Sequence, residues 1–396
     1  MNKRFMVLIA FIVCLPCVQA CSDECTCPDA GCPSDDAAVE AEAGEDAQED
    51  IAAEAFAPDL SGCEETEPAA ASPDIYAAIL ERLVTSVPVN EGDWGEDFGD
   101  ATAYSPPALL QAGRSLCDAS YMRLADETLQ HTHFLIDHFL EIMEGDSPDE
   151  LIIGILGPIE SYSITPFEGW ADDADEGLFW LDETLDLFGD YLYAPSLDTS
   201  PYGPTAVTAI VAAENFRYVL LVDPEDSEKT TRGLEMAAAI DTYAWDPDNE
   251  FYKVSPDEEF LDLYPNVAMM IVWTLAHALT GEAEHLARAE HQFDAIAPLK
   301  LEDIGGYHSL YSSSVPDYVS FSSQNYLIFA LYLLYLETED EKYRDEALSV
   351  LKFIEDYLYS GGMVWHHWEN EMRANWYCSG CNFQFLYVLN RLSEII

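Results

Sequence analysis

Two stretches of the chain set carboxylates among aromatic and imidazole side chains. In Ser314-Val315-Pro316-Asp317-Tyr318, Asp317 sits beside a ring that can strip water from it, just ahead of an apolar run. In Trp365-His366-His367-Trp368-Glu369-Asn370-Glu371, Glu369 and Glu371 adjoin two histidines able to partner them. Asp262 precedes Leu263-Tyr264-Pro265 in the same manner. A carboxyl desolvated by such neighbours is shifted upward and can act as an acid, while an ionised one acts as base or nucleophile. Sugar hydrolysis requires that pair across the scissile bond.

The surrounding residues suit the same ligand. Trp245, Tyr252, Tyr307, Tyr318, Trp365 and Trp368 can stack on pyranose faces, and His308, His366 and His367 can bond to hydroxyls. Their concentration in polar segments favours binding over simple core filling. No transition-metal site is expected: His131, His133 and His138 share one helix without the spacing of four that zinc pairs favour. Asp246, Asp248 and Glu250 alternate like a calcium loop but lack its glycine and closing glutamate. No cofactor motif is present, neither a phosphate loop nor a dinucleotide fingerprint.

These residues must be positioned by helices, which come in two alternating kinds. Val267 to Leu279, Tyr326 to Leu336 and Ala206 to Ala213 are apolar almost all round, as in helices buried on every side. Each is followed by an amphipathic helix; in Glu341 to Tyr359, Tyr343, Ala347, Leu351, Ile354 and Leu358 form one apolar face. The turns Thr280-Gly281-Glu282 and Thr338-Glu339-Asp340 align, and Ala237, Ala289 and Ala347 recur at similar intervals. The pattern predicts an all-α fold of helical hairpins spanning Pro106 to Met143, Asp149 to Tyr193, Pro204 to Tyr243, Pro265 to Ala297 and Ser323 to Tyr359. A last inner helix from Asn382 closes against a first helix near Ile75 to Val87.

From residue 75 to 396 this layout resembles the six-hairpin (α/α)6-toroid superfamily, which includes many glycoside hydrolases and the N-acylglucosamine 2-epimerase-like proteins. The loops Trp245 to Tyr252, Gly305 to His308 and Gly361 to Glu369 have that superfamily's look, with short β-hairpins. The resemblance implies that they line one mouth of the ring, where substrate binds. It makes Asp317, Glu369, Glu371 and Asp262 the catalytic candidates, and the aromatic and histidine residues above the glycan contacts. Asp172-Asp173, in the acidic loop after Trp170, resembles the adjacent aspartates of mannan-cleaving members, with Ala171 in place of the usual tyrosine.

Charge and export signals bound the partners. With 75 acidic against 16 basic residues in 396, a net charge of -59 repels nucleic acid and anionic lipid alike. Residues 1–20 read as a signal peptide: Lys3 and Arg4 precede an apolar stretch, and every later apolar run is read as too short or too charged to span a membrane. Val18-Gln19-Ala20-Cys21 resembles the bacterial lipobox, with Cys21 the lipidated residue; the alternative is cleavage after Ala20 and a disulfide at Cys21. Residues 21–74, free of Lys and Arg, read as a self-repelling acidic tether.

Ten cysteines in an exported chain permit disulfides. Cys25, Cys27, Cys32 and Cys63 can form two bridges of undetermined pairing, Cys378 and Cys381 a local structural one, with Cys117 left as the odd thiol. The expected function is an exported, lipid-anchored, glycoside hydrolase-like protein that binds a glycan or oligosaccharide in the toroid mouth. The alternative is a noncatalytic surface lipoprotein that binds a glycan or peptide. Neither reading fixes the oligomeric state.

Overall fold

The computed structural model describes residues 56, 58, 60, 61, 63–66, 70–86, 98–137, 156–187, 203–255, 261–309, 318–369, 372–374 and 377–396. Cys21, Asp317 and Glu371 lie outside the described residues. Twelve α-helices occur among the described residues: α1 Pro73–Ser86, α2 Phe98–Leu116, α3 Ala119–Asp137, α4 Leu156–Ile164, α5 Glu168–Leu187, α6 Gly203–Leu221, α7 Ser227–Tyr243, α8 Leu263–Thr280, α9 Ala283–Ala295, α10 Phe321–Thr338, α11 Glu341–Phe353 and α12 Ser379–Leu392. The even-numbered helices pack side by side as an inner ring, closed where α12 meets α2. Each is backed by an outer helix, and α1 supplies the last outer position, behind α12.

The two helix types follow from this layout. α8 and α10 are enclosed on nearly all sides, so their sequences are apolar almost all round, while α12 keeps Asn390 and Arg391 on a partly exposed flank. α8 is one uncharged stretch of 18 residues, long and apolar enough to span a membrane, and 78% of it is buried among its neighbours. The sequence expectation that no such run exists is therefore corrected; a core helix of a ring needs the same composition. Ala237, Ala289 and Ala347 are fully buried on three successive outer helices, where small side chains let outer and inner helices approach. Gly233 does the same on α7: a Cβ there would come within 2.5 Å of the Phe216 ring.

The inner helices end in short turns at one end of the ring and begin from long loops at the other. Two of the turns share their chemistry. The Thr280 and Thr338 hydroxyls donate to carbonyls four residues back and accept the amides of Glu282 and Asp340. Gly281 and Glu339 then take left-handed conformations, with φ of 71° and 54°. Among the long loops, β1 Trp245–Asp246 pairs with β2 Phe251–Tyr252, and β4 Tyr359–Ser360 with β5 Met363–Val364. A third sheet joins β3 Val319–Ser320, β6 His367–Glu369 and β7 Met372–Arg373.

The segment before α1 is not all solvated, as the tether reading had it. Phe56 packs its ring 4.9 Å from Trp170 and 5.7 Å from Phe167. Cys63 is disulfide-bonded to Cys117, which corrects both the expected pairing within the tether and the expected odd thiol. The Thr66 amide donates to Ser115, and that of Ala71 to Leu389. All these partners belong to the short-turn end, so Phe56, Cys63, Thr66 and Ala71 form a strap held there.

Candidate active site

Three side-chain amides hold the long loops to the inner ring. Near the start of α8, Asn266 accepts from the Tyr252 amide at 2.8 Å and donates to its carbonyl at 3.0 Å. Gln324 on α10 holds both backbone groups of Tyr307 at 2.9 Å, and Asn382 on α12 holds those of Val364 at 2.8 and 3.0 Å. All three amides are fully buried. Each clasp satisfies a donor and an acceptor that would otherwise be buried unpaired.

With the loops fixed, the pairing of β3 with β6 brings two of them together at the mouth, aligning Val319 with Trp368 and Ser320 with His367. The Tyr318 and His367 rings lie 5.0 Å apart. His367 Nε2 stands 4.0 Å from Glu369 Oε2, a half-exposed carboxylate. Asp262 is buried at the start of α8, where its carboxylate accepts the Tyr264 amide at 2.8 Å as an N-cap. Both Glu369 and Asp262 act electrostatically on Tyr318, whose phenol is pushed up mainly by burial and further by these two charges.

The adjacent imidazoles are held in their neutral form. His366 is 1% exposed, and burial, reinforced by His367, pushes it down to about 3. His367 is also lowered by burial, with Glu369 opposing. Their Nδ1 atoms lie 3.0 Å apart, so one ring donates to the other. A neutral imidazole beside a carboxylate and a phenol can accept or relay a proton.

Other expected contacts are placed differently. Tyr252 is buried, its hydroxyl donating to Asp241 on α7 at 2.6 Å and accepting from Trp273 at 3.0 Å. Tyr307 is buried too and donates to Glu346 on α11 at 2.9 Å. Both are struts between loop and outer helix, so their expected stacking on sugar is corrected. Trp245 is half-buried against Tyr252, with ring centroids 4.9 Å apart. The His308 amide donates to Leu299. Trp365 is half-buried, its indole donating to Ser360 at 3.2 Å and facing Tyr377. Trp368 meets Tyr357 edge-on at 6.0 Å. Tyr318, His367 and Glu369 are thus the expected residues brought within reach of one another; Trp368, half-buried between the last two on β6, points to the other side of that strand.

Cys378 and Cys381 are bonded to each other beneath this surface, with the buried Cys378 at the N-cap of α12. Asp246 is committed to its own turn: it accepts from the Asp248 and Asn249 amides and from the Asn249 side chain, which leaves the calcium-loop pattern without its first ligand. Among the described residues no group of three or more His, Cys, Asp or Glu side chains is arranged to hold a metal ion. Asp172 and Asp173 lie within α5, near the short-turn end, and not in a loop. Asp173 pairs there with His133 at 2.7 Å.

No protein-family model matches the sequence, and no curated protein sequence matches it. Solved structures do resemble the fold. Cellobiose 2-epimerase from Bacillus thermoamylovorans aligns over 82% of this chain and 99% of its own, with a TM-score of 0.61 and 14% identity. An unsaturated glucuronyl hydrolase specific for heparin aligns over 81% and 95%, with a TM-score of 0.60 and 12% identity. An inactive variant of an α-1,6-mannanase from Salegentibacter sp., in complex with α-1,6-mannotriose, aligns over 82% and 99%, with a TM-score of 0.59 and 14% identity. These likenesses establish the architecture: the chain folds as an (α/α)6 toroid.

Proposed function

We propose that the protein is an exported, lipid-anchored, glycoside hydrolase-like enzyme that takes a glycan into the toroid mouth. One observation carries this reading: Tyr318 lies against His367, ring centroids 5.0 Å apart, and stands in the field of two carboxylates from different loops, Glu369 and Asp262. Glu369 is half-exposed at the mouth, with the His367 imidazole 4.0 Å away and lowered by burial. Asp262 places negative charge beneath the mouth, where positive charge develops on the ring in the transition state. Asp317, adjoining Tyr318 in sequence, is assigned as the acid, and Trp368 as a stacking surface.

A second reading, a proton-abstracting epimerase or isomerase acting on a reducing sugar, is favoured by the His366-His367 pair. Two neutral imidazoles in contact suit removal and return of a proton beside a carbonyl. A screen of oligosaccharides and reducing sugars with the full chain separates the readings. Hydrolysis that falls at least about 100-fold in Glu369→Gln and Asp317→Asn, with binding retained, supports the first. Solvent hydrogen exchange into the sugar that is lost in His367→Phe supports the second. Binding without turnover leaves a noncatalytic glycan-binding lipoprotein. For export and anchoring, fatty-acid labelling that disappears in Cys21→Ala is expected, and an unlabelled parent protein removes the anchor.

A further inference from the structure

The inner ring contains a charge cluster that the mouth does not use. Glu160 on α4 and Glu214 and Arg217 on α6 are 0–1% exposed. Arg217 reaches Glu160 at 2.5 Å and Glu214 at 2.6 Å. Across the ring, Glu160 accepts from Tyr387 on α12 at 3.2 Å, and Tyr387 in turn accepts from Arg391 at 2.8 Å. The Arg217 guanidinium also lies 5.6 Å above the Phe329 ring of α10. Four inner helices are therefore tied through one guanidinium, toward the short-turn end.

The charges do not balance. Arg391 is paired with Glu394, which also accepts from Tyr332, so two enclosed carboxylates remain for the single Arg217. Arg217 and Arg391 are the cations that act on Glu160; Arg217 and Glu160 are the charges that act on Glu214. Glu214 Oε2 is buried without a hydrogen-bond partner. An uncompensated carboxylate in such a place costs several kcal/mol, and a group so placed takes up a proton.

We propose that Glu160, Arg217 and Glu214 form a proton-binding switch that couples closure of the inner ring to pH. With one proton shared between the two carboxyls the cluster is neutral and pins α4, α6, α10 and α12; without it, one buried negative charge is left over and the ring loosens. The titration range lies near neutrality, since burial outweighs Arg217 and pushes Glu160 up to about 7 and Glu214 to about 8. Carboxyls raised above their unfolded value stabilise the fold at low pH, and that stability is lost as pH rises through the folded value.

The test is the stability of the full chain from pH 5.5 to 9 at constant ionic strength, beside Glu214→Gln, which keeps shape and leaves one carboxylate for Arg217. The folding equilibrium of the unaltered protein should fall by up to about tenfold per pH unit from pH 5.5 to about pH 8 and level off above it, and the variant should lack that fall. Parallel curves for the two proteins overturn the proposal. If the variant does not fold, infrared difference spectra of the unaltered protein decide: a protonated-carboxyl carbonyl band present at pH 6 and gone at pH 9 supports the switch, and its absence at pH 6 overturns it. A fall that appears only when sodium is replaced by a bulky organic cation also overturns it, by assigning the compensating charge to a metal ion.

Discussion

Asn382 holds both the amide and the carbonyl of Val364, so a single side chain in the first turn of α12 fixes the loop that carries His366, His367 and Glu369. Its counterparts at Asn266 and Gln324 fall at equal sequence intervals before it and hold the two preceding loops. The mouth is built from loops clasped to the ring, two of which also pair with each other through β3 and β6.

Removing a clasp leaves two buried backbone groups unpaired. Asn382→Ala should destabilise the protein by about 2–6 kcal/mol, at about 1–3 kcal/mol for each of the two orphaned groups. Chemical denaturation measures the loss. Asn382→Asp should recover little of it, because a carboxylate accepts from the Val364 amide but cannot donate to the carbonyl.

His366 sets an acid limit. Its value is lowered from an ordinary 6.5 to about 3, so the unfolded chain binds the proton more readily than the folded one. The stabilisation is present above about pH 6.5 and is lost as pH falls below it, by up to about tenfold in the folding constant per pH unit. His366→Gln, compared with the parent at pH 7 and pH 4.5, should show a smaller acid loss; an equal loss in both removes His366 as its source.

Glu339 occupies the left-handed position that Gly281 fills in the neighbouring hairpin. A non-glycine residue there costs about 1 kcal/mol. Glu339→Gly should therefore raise the melting temperature, and Gly281→Glu should lower it by a similar increment.

The Cys63–Cys117 bridge closes a long covalent loop between the strap and the α2–α3 turn. Cys63→Ser with Cys117→Ser should cost about 2–4 kcal/mol. The rings of Phe167 and Trp170 should gain solvent exposure as Phe56 leaves, which tryptophan fluorescence quenching reads.

The ring was legible in sequence because enclosure leaves a plain mark: Val267 to Leu279 and Tyr326 to Leu336 carry no polar face. Loop chemistry was less so. Tyr252 and Tyr307 look like sugar-stacking residues, yet their hydroxyls serve Asp241 and Glu346, partners that become neighbours only when the outer helices pack. Asn266, Gln324 and Asn382 were readable in principle, as polar residues at matching places in otherwise apolar helices. Glu160 and Arg217 meet across the ring wall, and no local pattern announces that pair. Cys63 finds Cys117 at a separation of 54 residues, where spacing carries no pairing information. Phe56 and Leu60, isolated apolar residues in an acidic stretch, were the available signal for the strap.

That strap fixes which face of the ring the amino-terminal segment meets. Phe56, Cys63 and Ala71 are fixed to the short-turn face by Trp170, Cys117 and Leu389, while Tyr318, His367 and Glu369 lie toward the opposite face. Whatever holds the amino terminus therefore takes hold of the body at its closed end.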